Sequence, residues 1–462
     1  MNGVGDPTGN AQPPARERHS ALVAELDRQA PGLEIEPAQS DAKSSHNVAT
    51  LRRSRRRSIE AGDAVFTLTE VDGVLIWQEG ATPHRSLYGR RALRRGFVSP
   101  AGEVVTHYRT EKLGLNQVTG MLQKLDDRMG RENENAQPGW GLLKLTRGKT
   151  WTPAQNVAGQ KPVLVLIHGT FSNAYNVLAE IRAAVDAQRN PVGEKFLDDA
   201  LKHYGEILAI NHKTVAVSPI LNAMDLAGYF GGVDAGIDVV AHSRGGLVAR
   251  WWLDGLDGTA STMRRAVLVG SPLQGTSLAA PDKLRGAMSL LTNYGNALKA
   301  AGFAASVYLP FLSVPLAILR LLTSVTSLAA KTPLIDAAIA LVPGLLAQSK
   351  VLNNEESERL ARAKPKASTE YSVIKSNYEP SDPGWKFWKY FRKGDLANMG
   401  ADLVFDGHND LVVDTDSMGI LPGAPLPVTS IRDFETSSEV HHCNYFRQEK
   451  TLNFIRKQFK IP

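Results

Sequence analysis

The sequence has almost no cysteine. Cys443 is the single one in 462 residues, which excludes an intrachain disulfide framework and a cysteine-rich zinc site. A strong charge surplus is also missing: 53 Lys and Arg stand against 47 Asp and Glu, a formal net charge of +6 over the whole chain. So thin an excess gives no footprint for nucleic acid, although its sign suits contact with anionic surfaces. Residues 1–20 contain no apolar core of the kind a secretory signal needs, so the expected location is the cytoplasm. Aromatic residues make up only 7% of the chain, so a local concentration of them stands out. The hydrophobic fraction of 43% is that of a globular chain, and the length suits two or three domains or one large domain with insertions.

Three regions differ in texture. Residues 1–60 mix Pro, Gly, Ala, Ser and charge with few β-branched or aromatic residues, and are expected to be disordered. They close in Leu51-Arg52-Arg53-Ser54-Arg55-Arg56-Arg57, read as a solvated basic linker. Residues 61–155 form a small β-rich region. Apolar runs at 65–69 and 74–77 flank Asp72-Gly73, a hairpin signal; 104–108 reads as a further strand and 115–129 as a helix. From 156 to 462 strands and helices alternate. Strands are expected at 162–167, 207–210, 236–241, 266–269 and 371–374. This spacing predicts an α/β fold with a doubly wound, mostly parallel sheet, with its chemistry at the carboxyl ends of the strands.

The segment Ala241-His242-Ser243-Arg244-Gly245-Gly246 sits where strand 236–241 must turn sharply into a helix. A serine there points its hydroxyl out of the sheet, and small neighbours are needed because the backbone is tightly bent. The plain alternative is a helix-capping serine. The segment resembles the nucleophile elbow G-x-S-x-G of the α/β-hydrolases, with Ala241 at the first glycine. Gly270-Ser271-Pro272-Leu273-Gln274-Gly275-Thr276 is similar to a segment that follows the next strand in lipases. Together they resemble the bacterial lipases and esterases of the α/β-hydrolase superfamily, over 161–462.

The resemblance implies the site. Ser243 becomes the nucleophile. The oxyanion donors become the backbone N–H groups of Arg244 and of Thr170, in Ile167-His168-Gly169-Thr170-Phe171. The segment Phe405-Asp406-Gly407-His408-Asn409-Asp410-Leu411-Val412-Val413 looks like the lipase run that carries the orienting acid. That role passes to Asp410, with Asp406 and Asp414 as rivals. Val440-His441-His442-Cys443-Asn444-Tyr445-Phe446 precedes the last helix, and the lipase pattern favours His442 over His441 as the base. His168 is read as a packed residue and Cys443 as a small filler. No cofactor or metal is implied.

Two segments point toward lipid. Residues 277–367 form a long excursion in which 300–349 carries only Arg320, Lys331 and Asp336 as charged groups; Pro310 and Pro315 argue against a membrane span. The competing readings are a buried pair of helices and an apolar cap or lid, and the lid is the one adopted. Trp385-Lys386-Phe387-Trp388-Lys389-Tyr390-Phe391-Arg392-Lys393 has the composition of an interfacial anchor, or of an insertion packed on the protein's own surface. The expected function is a serine hydrolase of carboxylic esters, of lipids above all. A thioesterase or amidase on the same triad, or a non-catalytic scaffold with this fold, are the alternatives. The expected partners are the ester substrate and peripheral contact with an anionic membrane, without nucleic acid.

Overall fold

The computed structural model describes residues 13–33, 35–37, 64–80, 102–110, 115–133, 135–159, 161–258, 262–279, 283–325, 342–350, 354–381, 387, 404–405, 407–421 and 428–462. Two sheets organise them. The first is antiparallel and has the order β1-β4-β2-β3, from Ile35–Pro37 (β1), Ala64–Val71 (β2), Val74–Gly80 (β3) and Glu103–Thr110 (β4). Asp72 and Gly73 close the β2–β3 hairpin at φ 50° and 81°, as the Asp-Gly pair predicts. Helices α1 (Ala15–Arg18), α2 (Ser20–Gln29) and α3 (Leu115–Met129) complete this N-terminal unit.

Two expectations change here. Residues 13–37 are folded: Leu22, Val23 and Leu26 share one buried face of α2, and Leu33 and Ile35 continue it. The polar composition of 1–60 hid this short amphipathic run. The run Leu51–Arg57 lies outside the described residues. Second, residues 141–153 do not belong to the N-terminal sheet. Gly141–Leu145 (β5) and Trp151–Pro153 (β6) form the antiparallel edge of the second sheet.

That second sheet has eight strands in the order β12-β11-β10-β9-β7-β8-β5-β6. Its parallel members are Val163–Ile167 (β7), Glu206–Asn211 (β8), Ile237–His242 (β9), Arg264–Val269 (β10), Thr369–Tyr378 (β11) and Ser430–Ser437 (β12). The central strands are buried on both faces, which is why they read as continuous apolar runs. Leu164, Leu166, Val267 and Val269 pack under α4 (Ala174–Arg182), α5 (Val192–His203) and the last helix, Glu449–Phe459. Val163, Val165, Val239 and Leu268 face the other way, toward α6 (Pro219–Phe230), α7 (Gly245–Arg250) and the wide π-helical turn Trp251–Leu256. Helices thus cover both faces, the doubly wound arrangement expected.

The excursion after β10 contains a helical hairpin, α8 (Leu284–Ala300) and α9 (Ala305–Val325). Its apolar side chains join one core with the N-terminal unit: Leu290, Leu298, Leu312 and Leu316 pack with Trp77, Leu122 and Leu26. The exposed edge of β3 is covered by polar groups of α8. Leu75 N–H donates to Asn293 Oδ1 (3.1 Å), Asn293 Nδ2 to Leu75 O (2.7 Å), Trp77 N–H to Ser289 Oγ (3.0 Å) and Trp77 Nε1 to Thr292 Oγ1 (2.9 Å). Helix α9 runs through Pro310 and Pro315. Pro310 has no N–H for the Ser306 carbonyl, and Asn176 Nδ2 donates to that oxygen instead, at 3.1 Å. Among the described residues no helix is long and apolar enough to cross a membrane. Of the aromatic segment 385–393 only Phe387 is described, and it is buried; the rest lies outside the described residues.

Candidate active site

Ser243 stands between β9 and α7 in a left-handed backbone conformation, φ 55°. A non-glycine residue is strained there, and such strain concentrates where a side chain must be aimed. The turn is held by Ser243 N–H donating to Val269 O (2.8 Å) and Gly246 N–H to Ser243 O (2.9 Å). Its glycines are sterically required. A Cβ on Gly245 would lie 2.5 Å from Ile167 O, and one on Gly246 2.2 Å from Ser271 Oγ. On the opposite side a Cβ on Gly169 would lie 2.4 Å from Ser243 Cβ, so the loop after β7 lies directly against the serine. Ala241 at the first position of the elbow is buried in the sheet and tolerated.

Asp410 and His442 meet behind this turn. His442 Nδ1 donates to Asp410 Oδ2 at 2.8 Å, and His442 N–H donates to Asp410 O at 3.0 Å. The carboxylate is fully enclosed. Oδ1 accepts the Val412 and Val413 N–H groups (3.1 and 2.8 Å), and Oδ2 also accepts the Tyr445 hydroxyl at 3.0 Å. With Nδ1 engaged, Nε2 is the nitrogen left to exchange protons. Ser243, His442 and Thr170 border one cavity of about 40 Å³, closed on the far side by Leu291, Phe311 and Ile318 of the helical hairpin. Ser243 is 2% exposed and His442 5%.

The rival residues have other work. His441 Nδ1 accepts from the Tyr294 hydroxyl of α8 at 3.1 Å, and burial pushes this imidazole down to about 3. Asp414 accepts from Ser277 N–H and Oγ and from Lys350 Nζ, so it ties down the start of the excursion. Asp406 lies outside the described residues. Burial raises the Cys443 thiol to about 12, which leaves it without the thiolate a nucleophile needs. His168 is packed: Nδ1 donates to Gly169 O, Nε2 accepts from His212 N–H, and the two rings stack at 3.9 Å. Among the described residues no group of three or more His, Cys, Asp or Glu is placed to hold a metal ion.

Supporting residues emerge that motif spacing alone did not single out. His242 Nε2 donates to His442 O at 2.9 Å, so the residue before the serine holds the backbone of the histidine; burial lowers its imidazole to about 3. Gly270, φ 55°, passes where a Cβ would lie 3.2 Å from Asp410 Oδ2 and 2.8 Å from Tyr445 Cε2. The Thr170 hydroxyl donates to Gln348 Oε1 of the excursion at 2.9 Å. Arg244 is fully buried: Nη2 donates to Val217 O and Asn222 Oδ1, and desolvation lowers the guanidinium to about 10. Its side chain therefore points away from the cavity lining, and only its backbone N–H, at the start of α7, is available to the site.

An eight-stranded, mostly parallel sheet with a strained serine at a strand-to-helix elbow defines an α/β-hydrolase fold. Residues 136–460 match the family described as Domain of unknown function (DUF7379), and the chain belongs to that family. No curated protein sequence matches it. Among solved structures it is similar to the mature lipase BlEst2 of Bacillus licheniformis, at 14% identity and TM-score 0.37 over 67% of this chain and 96% of that one. It is also similar to lipase 1 from Pelosinus fermentans, at 14% identity and TM-score 0.39 over 65% and 98% of the two chains. Esterase RhEst1 from Rhodococcus sp. ECU1013 is a third, at 16% identity and TM-score 0.34 over 69% and 98%.

Proposed function

We propose that this protein is a serine hydrolase of carboxylic esters, with lipid esters as its main substrates. The observation that carries the reading is the His442–Asp410 pair, with Ser243 and His442 bordering the same apolar cavity. Ser243 Oγ attacks the acyl carbonyl while His442 Nε2 takes its proton. Asp410 keeps Nδ1 protonated and stabilises the imidazolium that forms. The developing oxyanion is met by the N–H groups of Thr170 and Arg244. His442 returns the proton to the departing alcohol, and water then resolves the acyl-enzyme by the same steps in reverse order. Leu278, Leu291, Phe311, Val314 and Ile318 offer the acyl chain an apolar wall.

The α8–α9 hairpin then acts as a lid that is closed here, and opens against an apolar surface such as an anionic membrane. The test is a fluorophosphonate probe combined with a panel of p-nitrophenyl esters of increasing chain length. Labelling at Ser243 and a preference for longer acyl chains are expected. No labelling of the folded protein overturns the hydrolase reading; labelling with no ester turnover redirects it to thioesters or amides.

A further inference from the structure

The last turn of α3 and the residues after it grip both loops that flank the oxyanion position. Asp126 is 0% exposed. Its Oδ1 accepts the N–H groups of Thr214 (2.8 Å) and Val215 (3.0 Å), and its Oδ2 accepts that of Ala216 (2.7 Å). Thr214 Oγ1 in turn accepts the N–H of Phe171, at 3.3 Å. Phe171 directly follows Thr170 and sits at φ 58°, a conformation that needs support from outside. Just beyond, the carbonyls of Met129 and Arg131 accept Asn173 Nδ2 (2.7 and 2.9 Å). Those of Gly130 and Gly139 accept Asn211 Nδ2 (3.0 and 2.8 Å), and Asn211 Oδ1 accepts Ala174 N–H (3.2 Å). From the other side the Arg244 guanidinium holds Val217 O, so loop 212–217 is gripped between an anion and a cation that attract each other.

A buried carboxylate is a poor route to stability, because removing it from water is costly even when it is well hydrogen-bonded; here burial raises the Asp126 carboxyl. Rigid placement of N–H donors is what oxyanion stabilisation requires. We propose that Asp126 is a positioning residue for the oxyanion loop, so that the N-terminal unit, which precedes the family match at 136–460, takes part in the reaction. The inference rests on the serine-hydrolase reading. Asp126 touches no reacting atom. It fixes Thr214, Thr214 fixes Phe171, and Phe171 fixes the Thr170 N–H.

The experiment compares wild type with Asp126→Asn, which removes the charge at nearly constant volume, and with Thr214→Val, which removes only the acceptor for Phe171. Active sites are titrated with a fluorophosphonate so that only folded, competent protein is counted. Turnover of p-nitrophenyl butyrate is then set beside the affinity for an alkyl trifluoromethyl ketone, which forms a tetrahedral oxyanion adduct on serine. For Asp126→Asn, titrated kcat/KM should fall about tenfold to a hundredfold, mostly in kcat, and ketone affinity should fall by the same factor. Amide hydrogen exchange at 168–174 and 212–217 should rise. Thr214→Val should give the same pattern at smaller amplitude, and it carries the test if Asp126→Asn does not fold. Unchanged titrated kcat/KM and ketone affinity, whatever the loss in thermal stability, overturn the proposal and leave Asp126 a structural residue. Failure of the wild-type protein to label at Ser243 overturns instead the hydrolase reading on which it rests.

Discussion

The Tyr445 hydroxyl donates to Asp410 Oδ2 at 3.0 Å, the same oxygen to which His442 Nδ1 donates at 2.8 Å. Two donors on one buried oxygen keep the carboxylate ionised and aimed. Tyr445→Phe removes one of them without changing the shape of the pocket. A hydrogen bond to a charged group contributes about 1.5–3 kcal/mol, so kcat/KM for a p-nitrophenyl ester should drop roughly tenfold or more. Wild-type kinetics in this variant would mean that Asp410 is positioned by its backbone donors alone.

The histidine pair separates chemistry from packing. Ser243→Ala and His442→Ala should each lower turnover by several orders of magnitude, and by similar amounts, because a triad acts as a unit. His441→Ala should keep most of the turnover per labelled site and instead lower the melting temperature, since His441 packs among Tyr294, Phe303 and Tyr378. Steady-state kinetics with thermal denaturation of the same preparations decides it. A severe kinetic loss in His441→Ala with a mild one in His442→Ala would move the base.

Gly270→Ala should be damaging for a steric reason. The backbone is at φ 55°, and the new methyl would meet the Tyr445 ring at 2.8 Å and Asp410 Oδ2 at 3.2 Å. Loss of fluorophosphonate labelling in a soluble, folded variant is the expected result. Full labelling would show that the loop yields without cost to the triad.

Acid should destabilise the fold early. Burial lowers His168, His242 and His441 to about 3, and His212 is also lowered. Above the unfolded pKa of about 6.5 both states are neutral and nothing is lost. As pH falls below it, the unfolded chain binds protons that the folded chain refuses, and each such histidine removes about 1.4 kcal/mol per pH unit until the folded pKa is reached. Buried carboxyls raised in the fold, such as Asp238 and Asp254, take up protons before the unfolded chain does and oppose this at lower pH. Urea midpoints should therefore fall between about pH 6.5 and 5. A flat profile across that window would contradict neutral buried histidines.

Opening of the α8–α9 hairpin must break or carry along its bonds to β3. Asn293→Ala leaves the backbone groups of Leu75 without their partner and should lower stability by about 1–3 kcal/mol. If closure limits access to Ser243, the same variant should hydrolyse monomeric ester faster and show a smaller rate increase when the ester aggregates. Rates measured across the critical micelle concentration test this. An identical jump in both proteins would make the hairpin fixed core.

The local features of this protein were determined by sequence alone. Continuous apolar runs set the central strands because a strand buried on both faces has no polar side to show. The Ser243 elbow, the 167–171 loop and the 405–413 segment were legible because each is a short stretch whose backbone geometry restricts its own residue types. The structure brings Ser243, Thr170, His442 and Asp410 to one place from three separate strand ends and a loop. Tertiary structure decided the rest. His441 and His442 are adjacent and chemically identical, and only the turn before Glu449–Phe459 sends one toward Asp410 and the other toward Tyr294. Asp126 was one acidic residue among many on an amphipathic helix until packing set three backbone N–H groups of a loop 88 to 90 residues away around its carboxylate. The apolar stretch 300–349 could not declare whether it covers a site or fills a core. Hydrophobicity is non-directional, so the identity of the neighbouring surface, here both the N-terminal sheet and the Ser243 cavity, is a property of the folded molecule.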